Sequence, residues 1–142
     1  NENACNKQGT TALMLAAVDA TGRNGPLMHR LISAKANVKT KDNQGRTALM
    51  IACYHNNHAM VSKLLSAGAN FNARDFRSNT ALSLAARQGA TRIVKTLLVA
   101  MADVNPMLPR GKTVLDWALH FGDESSVRML LGAGARKGFP FS

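Results

Sequence analysis

One short motif, Thr-Ala-Leu or a close variant, returns down the chain at nearly constant spacing. It stands at Thr11-Ala12-Leu13-Met14-Leu15-Ala16-Ala17, Thr47-Ala48-Leu49-Met50-Ile51-Ala52-Cys53, Thr80-Ala81-Leu82-Ser83-Leu84-Ala85-Ala86 and Thr113-Val114-Leu115-Asp116-Trp117-Ala118-Leu119. The first step is 36 residues and the later two are 33 each. A second motif keeps phase with the first: Leu64-Leu65-Ser66-Ala67-Gly68-Ala69-Asn70, Leu97-Leu98-Val99-Ala100-Met101-Ala102-Asp103 and Leu130-Leu131-Gly132-Ala133-Gly134-Ala135. Two motifs locked in phase at so short a period require a stack of like units, because each unit is too small to bury its own apolar face and must lay it against a neighbour.

The copy from Lys41 to Ala73 shows how one unit folds. Asp42-Asn43-Gln44-Gly45 is turn chemistry, since Asn and Gly tolerate a left-handed backbone. Thr47 is placed to cap a short helix running to about His55. Asn56 stands where the next copy has Gly89, a position suited to a left-handed residue that ends the helix. A second helix is predicted from about His58 to Ala67, with Met60, Val61, Leu64 and Leu65 on one face, and Gly68 ends it. Neither helix is long enough to persist alone in water.

The pattern resembles the ankyrin repeat. The residues that carry the resemblance are Gly45-x-Thr47-Ala48-Leu49, Ala52-Cys53, Leu64-Leu65 and Gly68-Ala69-Asn70, with matching positions in the other copies; the family's usual Thr-Pro-Leu-His appears as Thr-Ala-Leu followed by Met14, Met50, Ser83 or Asp116. The resemblance covers about residues 6 to 136. It implies an all-α fold: a solenoid of stacked helix-turn-helix pairs joined by β-hairpin-like turns. The expected organisation is a single domain over residues 1–142, with repeats at about 6–40, 41–73, 74–106 and 107–136 and a tail at 137–142. The chain opens at Asn1 without Met, and its outermost copies lack the polar face that closes a stack. A piece excised from a larger protein is therefore expected, with the stack continuing on the N-terminal side.

Some copies depart from the pattern. Residues 19–26 are extra and predict a longer loop between the first two helices. Lys35 and Met101 stand where Gly68 and Gly134 stand elsewhere, and Leu108-Pro109 replaces the Asp-led opening of the other turns, so that turn should be displaced. Trp117 aligns with Ile51 and Leu84 and is expected in the core.

Composition narrows the function. With 46% hydrophobic residues but only 5% aromatic ones, the core must be built from Ala, Leu, Val, Ile and Met. The net charge of +10 favours acidic partners. Of the two cysteines, Cys5 and Cys53, the latter replaces an Ala of the repeat and reads as a small buried hydrophobe. So few cysteines fit a reducing compartment, and the expected setting is intracellular, cytoplasmic or nuclear. No apolar run approaches the roughly 18 residues needed to span a bilayer. His29, His55, His58 and His120 fall in different copies or at loop edges, with no Cys or acid to complete a metal set. Asp116, Asp123 and Glu124 form no paired carboxylate site and read as helix-terminal charges. No enzyme activity, metal or cofactor is expected.

What remains is a binding surface. The resemblance implies that partners meet the concave groove formed by the turn tips and the first helices. Mapping each copy from its Thr assigns to this surface Lys7, Gln8 and Thr10; Asn43, Gln44 and Arg46; Phe76, Arg77 and Asn79; Pro109, Arg110 and Lys112. The first helices add Val18 and Asp19; Tyr54 and His55; Arg87 and Gln88; His120 and Phe121. Lys7, Arg46, Arg77, Arg87, Arg110 and Lys112 face a single acid, Asp19, and Tyr54, Phe76 and Phe121 stand among them. Arginine and aromatic residues are enriched at binding hot spots. The expected partner-binding residues are Lys7, Arg46, Tyr54, His55, Phe76, Arg77, Arg87, Arg110, Lys112, His120 and Phe121. Two ligand classes stay open. One is an acidic or phosphorylated segment of a partner protein, which would make the chain an interaction module of a scaffold, adaptor or regulator. The other is a phosphate-rich ligand, meaning nucleic acid, nucleotide or phosphoinositide. The chain itself is expected to be monomeric in isolation.

The resemblance carries one further implication. Ankyrin-like repeats are substrates for an asparaginyl hydroxylase that acts on the Asn closing a Leu-x5-Asp-Val-Asn stretch. Leu97 to Asn105 fits that pattern, so Asn105 is a modification candidate; Asn72 fits less well. The alternative role for Asn105 is to bridge neighbouring turns through its side-chain amide.

Overall fold

A computed structural model describes residues 11–18, 25–34, 37–106, 108–121 and 124–136. Among these residues eight α-helices follow one another: α1 (Ala12–Val18), α2 (Gly25–Ser33), α3 (Ala48–Tyr54), α4 (His58–Ser66), α5 (Ala81–Arg87), α6 (Thr91–Val99), α7 (Val114–Phe121) and α8 (Glu124–Gly132), with a short 3₁₀ turn at Pro109–Gly111 before α7. The odd-numbered helices pack side by side in one row and the even-numbered helices in a second, and each odd helix also packs on the even helix that follows it. The chain is thus a two-layer stack of antiparallel helix pairs.

The recurring Thr explains where the first helices begin. Thr47 Oγ1 accepts from Met50 N at 3.3 Å, and Thr11 does the same for Met14 N at 3.3 Å. At α5 the cap is reciprocal: Thr80 Oγ1 accepts from Ser83 N (3.2 Å) and Ser83 Oγ from Thr80 N (2.9 Å). At α7, Asp116 takes the part of Ser83: its Oδ2 accepts from Thr113 N at 2.9 Å, while Thr113 Oγ1 accepts from Asp116 N at 3.2 Å. The expected helix-terminal role of Asp116 is therefore specific. These caps satisfy amides that the first turn of a helix leaves unpaired.

Five of the helices, α3 to α6 and α8, stop by one device. A residue with positive φ follows the last turn: Asn56 (57°), Gly68 (88°), Gly89 (67°), Met101 (70°) and Gly134 (93°). Around Gly68 the bonds are Gly68 N to Leu65 O (3.1 Å) and Ala69 N to Leu64 O (3.0 Å), and the same pair recurs around Met101 and Gly134. This is the Schellman arrangement, which needs a left-handed residue and is often accompanied by an apolar contact from the residue after it. It accounts for the Gly-Ala of the second motif, since Ala69, Ala102 and Ala135 are buried. Met101 bears the strain predicted for a side chain at that position. Lys35 lies outside the described residues, as do residues 19–24 of the predicted loop; α2 already begins at Gly25, so the loop is shorter than the 19–26 expected.

Between helix pairs the chain makes tight hairpin-shaped turns without extended strands among the described residues. Asp42 N bonds Arg46 O at 2.9 Å, Asp75 N bonds Asn79 O at 3.0 Å, and one rung, Phe76 N to Gln44 O at 3.0 Å, ties the two turns together. The core runs between the two helix rows. It is built from Leu13, Leu49, Leu82 and Leu115 of the first helices and from Met60, Val61, Leu64, Ile93, Val94, Leu97 and Leu130 of the second. Trp117 departs from expectation. Ile51 and Leu84 are buried, but Trp117 is only half-buried. Leu119 is 49% exposed, where Cys53 and Ala86 at the same repeat position are 0%. The reason is local: among the described residues no first helix packs on the far side of α7.

Candidate binding groove

Each turn ends at the mouth of its first helix, so the turn side chains and the last turn of that helix share one face. Between α3 and α5 this face holds a hollow of about 120 Å³. Met50, Ile51 and Leu84 line it together with Tyr54, His55, Arg46, Arg77 and Arg87; Gln44, Asp75 and Asn79 complete it. Five of the residues assigned from sequence therefore meet in one place, although they come from two different helix pairs.

The electrostatics of this hollow follow from how its turns are built. Asp42, 5% exposed, accepts from Gln44 N (2.9 Å), Arg46 N (2.9 Å) and Arg46 Nε (2.9 Å). Asp75 repeats the pattern one unit on, accepting from Arg77 N (2.9 Å), Asn79 N (2.9 Å) and Asn79 Nδ2 (3.2 Å). Both carboxylates are thus engaged in holding their own turns. Asn79 stands where Arg46 does in the preceding turn, so Asp75 has a neutral side-chain partner where Asp42 has a cation, and the Arg77 side chain is exposed at the tip. Tyr54 and His55 meet edge to face, ring centroids 5.2 Å apart.

A second hollow, about 500 Å³, lies against α7 and is lined by Lys112, Asp116, Trp117, Leu119 and His120. Phe121 stacks on Trp117 (5.6 Å) and meets His120 edge to face (4.3 Å). The Arg87 guanidinium lies 5.2 Å from the centre of the Trp117 ring, a cation–π contact. Arg87 thereby links the first hollow, which it lines, to the Trp117 ring that lines the second. Trp117 packs against the core as expected but only in part; sequence reasoning missed that it also lines a hollow, and the available signal was an aromatic ring at a position that is aliphatic in the inner copies.

The remaining assigned residues are placed differently. Phe76 is 75% exposed, its ring lying on the preceding turn: a Cβ added to Gly45 would come within 2.6 Å of Phe76 Cδ1. Gly45 is required there both for its φ of 79° and for this close approach. Arg110 is exposed at the 3₁₀ turn with a φ of 63°, and lines neither hollow. Lys7 lies outside the described residues.

Away from the groove, Cys53 is fully buried, and burial pushes its thiol well above the ordinary range, which leaves it chemically quiet. His58 Nε2 lies 2.9 Å from Thr96 Oγ1 across the second-helix row. Thr96 donates its own proton to Arg92 O (3.0 Å), so His58 is the donor in that pair. Burial, and secondarily the charge of Arg92, hold the His58 pKa below its usual value. Among the described residues no cluster of His, Cys, Asp or Glu could hold a metal ion, and no helix is long and apolar enough to cross a membrane.

The family model of ankyrin repeats (3 copies) matches residues 1–75 and again residues 75–139. The chain belongs to the ankyrin repeat family. No curated protein matches it at a significant level. Ankyrin repeats are generally protein–protein interaction modules. In this ankyrin stack the asparagine between units has a defined structural role: Asn105 Nδ2 donates to Gly134 O at 3.0 Å and its Oδ1 accepts from Arg136 N at 2.9 Å. Both ends of the amide are engaged, the bridging role weighed for this residue.

Proposed function

We propose that the concave groove of this ankyrin stack binds an acidic or phosphorylated segment of a partner protein, and that the chain serves as the recognition module of a scaffold, adaptor or regulatory protein. The observation that carries the reading is the hollow between α3 and α5. Three arginines line it over an apolar floor, and its one carboxylate among the described residues is committed to its own turn. An anion placed there exchanges water for guanidinium groups with planar donor geometry suited to carboxylate or phosphate. The rings of Tyr54 and His55 stand beside it on the wall of the hollow.

The test is binding of acidic and phosphorylated peptides, followed by fluorescence anisotropy on the intact chain. Arg77→Glu is expected to weaken binding by at least about 1 kcal/mol with the unfolding midpoint unchanged. Lys63→Glu and Lys95→Glu, on the second-helix row, are expected to leave affinity intact. Equal losses from all three would refute the groove. A single-stranded oligonucleotide that bound more tightly than any peptide, with affinity falling steeply in salt, would instead favour a phosphate-rich ligand on the same surface.

A further inference from the structure

The groove is not uniform along the stack. The hollow between α3 and α5 is cationic, with Arg46, Arg77 and Arg87 on its walls. One unit further on, the surface becomes an aromatic shelf of Trp117 and Phe121 with His120 at its edge. Asp116 lines the hollow against α7 beside Trp117 and Leu119, so a second anion seated there would meet a carboxylate at close range. Arg87 joins the two compartments, lining the first and lying on the ring of the second.

We propose that the segment bound in the groove carries an anionic side chain and an apolar side chain three residues apart, in an extended polyproline-like conformation. The anion sits at Arg77 and Arg87, and the apolar side chain rests on Trp117 and Phe121. This rests on the reading above that the groove takes an acidic protein segment. The spacing follows from the stack. Arg77 and Arg87 belong to the α5 unit and Trp117 and Phe121 to the adjacent α7 unit, and packed helix axes lie about 8–10 Å from one another. A polyproline helix rises about 3.1 Å per residue with three residues per turn, so side chains three apart point the same way about 9 Å from each other. A β-strand offers same-side pairs at about 7 or 13 Å and fits neither compartment pair. A hollow of about 120 Å³ suits the head of one side chain, not the body of an α-helix about 10–12 Å across.

The single tryptophan of the chain makes the proposal directly measurable. Four acetylated peptides of Gly, Ala and Pro would each carry one phosphoserine and one leucine, at separations of two, three, four and seven. Each is titrated onto the intact chain by calorimetry and by Trp117 emission. The separation-three peptide is expected to bind at least five-fold more tightly than the others and to shift Trp117 emission as Arg87 turns from the ring to the phosphate. Phe121→Ser is expected to erase that preference while phosphate-dependent binding persists. Equal affinity at all separations, with Arg77→Glu still abolishing binding, would overturn this inference and leave the groove reading standing. Tightest binding at a separation of seven would overturn it in favour of a helical occupant. Binding that Arg77→Glu leaves untouched, or no binding at all, would remove the groove reading and this inference with it.

Discussion

At residues 42–46 and 75–79 an aspartate builds the turn; at 108–112 a leucine stands in its place. Asp42 and Asp75 each gather backbone amides from their own turn. Leu108 is buried instead, and the turn after it tightens into Pro109–Gly111, with Arg110 and Gly111 both at positive φ and a single bond from Lys112 N to Pro109 O. The helix behind each turn begins from the same Thr cap, so the change in turn chemistry leaves the helix start unaltered. The comparison separates two kinds of position. Those that cap helices and fill the core between them largely hold their chemistry from unit to unit. Those that face the groove do not, as Tyr54, Arg87 and His120 show at one equivalent position. Binding specificity can then change along the stack at little cost in stability.

The largest effect that would break this separation lies in the core. Leu82→Ala removes a side chain that is 1% exposed and should cost roughly 2–5 kcal/mol through the cavity it leaves. Leu119→Ala, in the α7 hollow, should stay within about 0.5 kcal/mol. Urea unfolding monitored by circular dichroism measures both, and similar losses would mean that α7 is covered as fully as α5. Next in size, Asp42→Ala should cost about 1–3 kcal/mol by releasing three bonds to a charged acceptor, whereas Pro109→Ala in the leucine-led turn should cost much less; the same unfolding curves decide it.

Smaller again is the strain at Met101. Met101→Gly should stabilise the stack by about 0.5–1 kcal/mol, relief of the left-handed penalty outweighing the added freedom of the unfolded chain. Gly68→Ala should do the reverse at the equivalent stop. The smallest effect concerns pH. The folded pKa of His58 lies below its unfolded value, so the unfolded chain binds more protons in between. Stability from this residue is present above about pH 6.5, the ordinary histidine value, and fades as pH falls through the folded pKa. His58→Gln should flatten that acid slope in a melting-temperature series, and an unchanged slope would place its origin elsewhere.

The sequence made the helices legible because their signals are covalent and local. Thr at the start, Gly or Asn at the stop and Leu-Leu between them repeat in phase, and each has one physical job. The gathering of Arg46, Tyr54, His55, Arg77 and Arg87 was also accessible, since a fixed period carries a position from one unit to the next. What the period could not convey was how each side chain settles. Trp117 reads as core by alignment, yet it is half-buried because burial depends on the neighbour across the helix. Phe76 and Arg110 map to the same surface as Arg77, but a close approach to Gly45 and a leucine-led turn send them elsewhere.

The asparagines that join successive units have a consequence for motion. Asn72 Oδ1 accepts from Asp103 N at 2.8 Å, and Asn105 Oδ1 accepts from Arg136 N at 2.9 Å. Asn57 Nδ2 reaches back to Ala17 O at 3.3 Å. The amides of Asp103 and Arg136 lie on exposed turns, where fraying alone would let solvent exchange their hydrogens quickly. Each is held by a side chain of the preceding unit, so its exchange reports the contact between neighbours, which the buried amides inside a helix register only when the structure around them opens.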